Sequence, residues 1–173
     1  GFLRLPLKDK KDEHSVDYAV LNFMVDSFIE KGGKYFDTAY TYLGGASEEA
    51  IRLSLVERYP RESFMIANKY PGHQITDTYY PEPIFLEQLE RCQVDYFDYY
   101  LLHNINENSI SVYKDEKWGI LVYFKKQKEL GKIKHLGFSY HGTPELLVKI
   151  VDSHPEIEFV QIQLNYVDWD GSN

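Results

Sequence analysis

The chain has 173 residues, enough for one domain with its own hydrophobic core. With 43% hydrophobic and 27% charged residues it reads as soluble and globular, and a formal net charge of −8 lacks the basic footprint of non-specific nucleic-acid binding. One cysteine, Cys92, excludes an internal disulfide and a multi-cysteine metal site, no apolar run reaches membrane-span length, and GFLRLPLKDKKDEH has no apolar signal core.

From the N-terminus onward, strand-like and helix-like segments alternate. GFLRLPL reads as a strand, and the charged run at 8–13 as a solvated loop. LNFMVDSFIE has helical spacing, with Val16, Val20, Phe23, Val25 and Phe28 on or near one face and Gly32-Gly33 past its end. Tyr35-Phe36-Asp37 is a short strand. Ser47-Glu48-Glu49 opens a helix with acidic groups in its first turn, running to about Arg58. Residues 64–68 form a compact apolar strand closed by Lys69. Residues 81–92 form a helix opened by Pro81, and 96–102 a buried strand closed by His103. A helix over 118–130 stops at Gly131. A strand at 133–139, a helix at 144–152 entered through Thr143, and a strand at 159–166 complete the pattern.

Apolar strands alternating with crossover helices imply a parallel sheet covered on its outside. A Rossmann-type sheet would carry G-x-G-x-x-G after its first strand, and Gly44-Gly45 lacks that spacing. Polar, reactive residues at the ends of successive strands favour a barrel instead, since barrel enzymes keep their chemistry there. A complete eight-fold barrel takes about 200 residues or more. The expectation is therefore a single domain over 1–173, an α/β (β/α)8 TIM barrel carried incompletely. It has about six of eight strands, the C-terminal strand–helix units are missing, and the edges are open. A partner, including a second copy in a homo-oligomer, is one way to close such edges.

Asp37, Lys69 and His103 each close a strand, and Tyr42 follows Asp37 in the loop. A buried Lys69 needs a carboxylate, and Asp37 on the preceding strand is the natural partner. As a structural ion pair this would end the matter, but Tyr42 adds a phenol. Lys69 as a cation would lower the Tyr42 pKa from its ordinary value near 10 and let it protonate a developing alkoxide. His103 can donate to the same oxygen. The set suits carbonyl reduction with hydride from a cofactor, because no side chain supplies one. His14, His135 and His154 have no metal-ligand spacing, so no metal is expected. Tyr70-Pro71-Gly72-His73 shapes a pocket wall or is an ordinary loop, and Trp118 lines the pocket or belongs to helix core.

FDTAYTYLGGASEE, IANKYP, DYFDYYLLH, GKIKHLGFSYH and FVQIQLNY, in this order, resemble the successive strand-end motifs of the aldo/keto reductase family across nearly the whole chain. GFLRLPL is similar to the family's first strand. The resemblance implies a (β/α)8 barrel that binds NADP(H) and reduces aldehydes and ketones or oxidises alcohols. It places Asp37, Tyr42, Lys69 and His103 on the catalytic tetrad, with Tyr42 as general acid. Ser139 and Gln161 fall on positions that hold the nicotinamide carboxamide, and Tyr140 stands where many members have asparagine. His141 gives GFSYHG the look of a bacterial subgroup, some of whose members carry an iron–sulfur extension, for which the lone Cys92 offers no support. The nicotinamide-stacking aromatic and the 2′-phosphate-binding residues of the family have no counterpart before Asn173, so weak cofactor binding is expected of this chain. The implied partner is a small carbonyl substrate, and the implied location is cytoplasmic. A different reading stays open: a non-catalytic family member serving as a binding or regulatory subunit.

Overall fold

In a computed structural model, residues 1–74 and 80–164 are described. Five strands, β1 (Tyr35–Asp37), β2 (Met65–Tyr70), β3 (Phe97–Ile105), β4 (Ile133–Tyr140) and β5 (Phe159–Ile162), form one sheet in chain order. Every neighbouring pair is parallel, which each intervening helix makes sterically feasible. The helices are α1 (Tyr18–Glu30), α2 (Ala46–Ile51), α3 (Pro81–Cys92), α4 (Ile110–Lys114), α5 (Ile120–Glu129) and α6 (Pro144–Ser153). Local sequence fixes their starts. Asp17 accepts from the Ala19 and Val20 amides, Pro81 stands at the first position of α3, and the Thr143 side chain caps α6. A π-helical turn over Arg52–Val56 continues α2. None of the described helices is long and apolar enough to cross a membrane.

Strand alternation divides the side chains between two faces. The outer face carries Phe36, Ile66, Tyr70, Tyr100, Leu102, Leu136 and Phe138, all buried. Tyr100 packs on Phe124 of α5 and Phe85 of α3, with ring centroids 4.7 and 5.1 Å apart. Each fully buried aromatic of this kind stabilises the fold by about 1.5–3 kcal/mol. The inner face has a lower and an upper layer. Below, Tyr99 meets the rings of Tyr35, His135 and Phe159 at 5.1–5.2 Å. Above stand Asp37, Lys69, His103, Ser139 and Gln161, one from each strand in turn. The sheet is curled into a half-barrel, so that Gln161 Nε2 of β5 lies 3.4 Å from Asp37 Oδ2 of β1.

The fold departs from the sequence reading at four places. The first residues add no strand, so the described residues carry five strands where about six were expected. Phe2 donates its amide to Asp37 O at 2.7 Å and its ring is buried against Phe36, but Pro6 has no N–H to extend a ladder. Leu7 then bridges antiparallel to Val16. Of the residues expected on one face, Val16 and Val25 are buried, Val25 on α1 with Leu21 and flanked by Tyr18 and Ile29, whereas Val20, Phe23 and Phe28 are exposed. Apolar residues lie on more than one side of this helix, so periodicity alone could not choose the buried set. The strand β3 continues past His103 to Ile105 through a bulge, and β5 ends at Ile162, with Gln163 and Leu164 outside the strand; residues 165–166 of the expected 159–166 strand lie outside the described residues. Trp118 sits in the turn before α5, against Tyr80 and the edge of the core, as a packing residue.

Gly137 sits opposite Phe159 at a close approach. A Cβ there would lie 2.4 Å from Phe159 O and 2.6 Å from its ring. Gly137→Ala is therefore expected to destabilise the chain by about 1–3 kcal/mol, the usual cost of overpacking. Urea denaturation measures it, and an unchanged midpoint would contradict this packing.

Candidate active site

The end of β1 places Asp37 beside β2, whose strand phase turns Lys69 to the same face. Lys69 is buried, and its Nζ donates to Asp37 Oδ2 at 2.5 Å and to Thr38 O at 2.7 Å. Burial pushes the Lys69 pKa down while Asp37 pulls it back up. Tyr42 opens a short 3-10 turn, Tyr42–Gly45, that brings its ring back over the pair. The Lys69 Nζ lies 4.7 Å from the centre of that ring, and His103 meets it edge-on at 5.6 Å. The four groups read from the sequence are thus brought together.

Their electrostatics differ from the sequence expectation in one respect. Lys69 does not lower the Tyr42 pKa here. Burial raises it above the ordinary phenol value, and Asp37 adds to the rise. The resting phenol is held protonated. His103 is pushed the other way, down to about 2, by burial first and then by Lys69, His73 and His141. It is a neutral imidazole whose Nδ1 has no partner among the described residues.

Ser139 and Gln161 occupy the rest of the rim. Ser139 Oγ accepts from the Asn104 amide at 2.7 Å, which leaves its own proton to donate. Gln161 Oε1 is a buried acceptor without a partner among the described residues. A primary amide needs one donor and one acceptor, so the two positions fit a nicotinamide carboxamide. Tyr140 points to the opposite face and donates to Thr143 O at 2.6 Å. Among the described residues, no group of three or more His, Cys, Asp or Glu side chains is placed to hold a metal ion.

Two features escaped the sequence reading. Behind Lys69, the fully buried Glu48 accepts from Asn68 Nδ2 at 2.8 Å and Arg91 Nη1 at 3.2 Å. Asn68 Oδ1 accepts the Lys69 amide at 2.8 Å, and Gln88 Nε2 donates to Asn68 Oδ1 at 2.8 Å and Lys69 O at 3.1 Å. The peptide groups of Lys69 are clamped from the outer face. Burial pushes the Glu48 carboxyl up, against the donors around it. The visible signal was Asn68, a polar residue inside an apolar strand. The second feature is the ring contact of His73 with His103, edge-on at 4.8 Å, within the segment read as a pocket wall or an ordinary loop. Burial also lowers the His73 pKa.

The buried, neutral His103 links stability to pH. In the unfolded chain its pKa returns to about 6.5, so the unfolded state takes up the extra proton as pH falls. The contribution of His103 is full above about pH 6.5 and is lost progressively below it, toward its folded value. Urea denaturation should show about 2 kcal/mol lost to this group between pH 7 and pH 5. His103→Gln should have a correspondingly shallower slope, and identical slopes would refute the assignment.

Comparisons with known proteins bear on the family and the fold. Residues 7–172 match the model of the aldo/keto reductase family. Among solved structures, an aldo/keto reductase from Brucella melitensis superposes with a TM-score of 0.64 at 21% identity, over 86% of this chain and 55% of that one. The holo form of AKR11C1 from Bacillus halodurans gives 0.67 at 24% identity, over 86% and 49%. A Klebsiella pneumoniae aldo/keto reductase, solved in complex with NADP and acetate, gives 0.67 at 20% identity, over 94% and 56%. The chain spans about half the length of these structures. No curated protein matches it. With the match running through almost all of its length, the chain belongs to the aldo/keto reductase family.

Proposed function

We propose that this half-barrel carries the proton-transfer half of an NADP(H)-dependent carbonyl reductase that converts an aldehyde or ketone to an alcohol. The observation that carries the reading is the convergence of Tyr42, Lys69, Asp37 and His103 within one set of contacts at the barrel mouth. NADPH, when bound, supplies the hydride. Ser139 and Gln161 are the residues that would hold its carboxamide, one as donor and the other through its unpartnered carbonyl oxygen.

Tyr42 is the general acid. Its raised pKa keeps the proton on the phenol until the substrate oxygen becomes an alkoxide, a stronger base than phenolate. Lys69 then faces a forming phenolate, and the attraction grows as charge develops, which is the condition for accelerating the step. Asp37 keeps the buried ammonium charged and in place. His103, neutral, can donate a hydrogen bond to the carbonyl oxygen without competing as an acid. The substrate would be a small carbonyl compound, and the complete barrel could work as a homo-oligomer in the cytoplasm.

The test uses a polypeptide extended to the full family barrel beside the present chain. NADPH binding is followed by quenching of tryptophan fluorescence, and is expected for the extended form and weak for the present chain. Tyr42→Phe should lower turnover by about 100-fold or more while NADPH still binds. Binding without turnover in the unsubstituted extended form would favour the non-catalytic subunit instead.

A further inference from the structure

The bulge in β3 falls at His103. Opposite β4, Leu102 pairs with Phe138 and Ile105 with Tyr140, so His103 and Asn104 together face the single residue Ser139. Asn104 takes a left-handed conformation, φ +57°, which asparagine tolerates better than most residues. Bulges of this kind re-aim a side chain, and they need something other than the ladder to hold them.

Here side chains hold both sides of the extra peptide unit. The N–H of Asn104 goes to Ser139 Oγ at 2.7 Å. The C=O of the same peptide, that of His103, accepts from Tyr113 Oη at 2.5 Å. Tyr113 reaches it from α4 and is buried. Its hydroxyl also accepts the His73 amide at 3.1 Å, so one oxygen ties the segment after β2 to the bulge in β3. Gly72 makes room for it: a Cβ on Gly72 would lie 2.5 Å from the Tyr113 ring.

We infer that Tyr113 is a positioning residue of the site: its hydroxyl fixes the His103–Asn104 peptide and the His73 backbone, and thereby sets how the two imidazoles meet each other and Tyr42. The inference rests on the functional reading above for why His103 must be aimed, but the aiming itself can be observed without any activity.

The experiment is nuclear magnetic resonance of the histidine rings, in this chain with labelled histidine. Tyr113→Phe keeps the ring and removes the hydroxyl. Tyr140→Phe, which loses a bond of similar length to Thr143 O, serves as control. The expected result is a displaced His103 ring signal in Tyr113→Phe, because the shielding by Tyr42 and His73 changes, with the His103 signal of Tyr140→Phe left in place. An unmoved His103 signal in Tyr113→Phe, or an equal displacement in both variants, would overturn the inference. Should Tyr113→Phe fail to fold, amide hydrogen exchange in the unsubstituted chain decides. Slow exchange of the His73 amide supports the bridge, and exchange as fast as in an exposed loop refutes it. Loss of turnover in the extended enzyme plays no part in this readout, so a failed functional reading and a failed positioning role are separable.

Discussion

An ammonium group taken out of water must be matched by a carboxylate or give up its charge. At Lys69 that requirement organises the mouth of the half-barrel. The Asp37 pairing sets how the ends of β1 and β2 lie together, and the Thr38 carbonyl accepts a second N–H of the ammonium. Tyr42 then lies over a cation that is already fixed. A charge so held cannot follow the solvent, and the polar groups around it were placed before any substrate arrives. Such preorganisation is what makes an electrostatic contribution to a reaction large.

The two faces of the sheet solve different problems with the same alternation. Outward residues bury aromatic area against α3 and α5, and that packing is non-directional. Inward residues need defined partners, which Lys69 and Gln161 find in Asp37 on the same face, and the backbone that carries Lys69 is held from the outer layer. The Glu48–Asn68–Gln88 network never touches the mouth, yet it grips the N–H and C=O of Lys69. Buried polar groups of this kind are tolerated because each is satisfied, and their reward is a strand end that does not fray.

Strand order and the inward set were legible because a period of two is unambiguous once a strand is found. Asp37, Lys69, His103, Ser139 and Gln161 needed only their phase and the family motifs around them. Other features depended on contacts that sequence spacing does not encode. The face of α1 was legible only in part: Val25 is buried as its spacing suggests, but apolar residues lie on more than one side of the helix and only the packing selects Leu21 over Val20, Phe23 and Phe28. The Tyr42 acidity was misread because proximity to Lys69 was weighed without the burial of both groups. The bulge at Asn104 and the reach of Tyr113 are long-range events, and one tyrosine among 15 carries no mark of them.

The contact between Gln161 and Asp37 joins residues 124 apart in the chain. Neighbouring strands can keep their pairing wherever the rest of the sheet lies, but this contact spans the curl from the first strand to the last. A shift in register of any strand between β1 and β5 would part Gln161 from Asp37. The completed rim thus records that the intervening strands have taken their places.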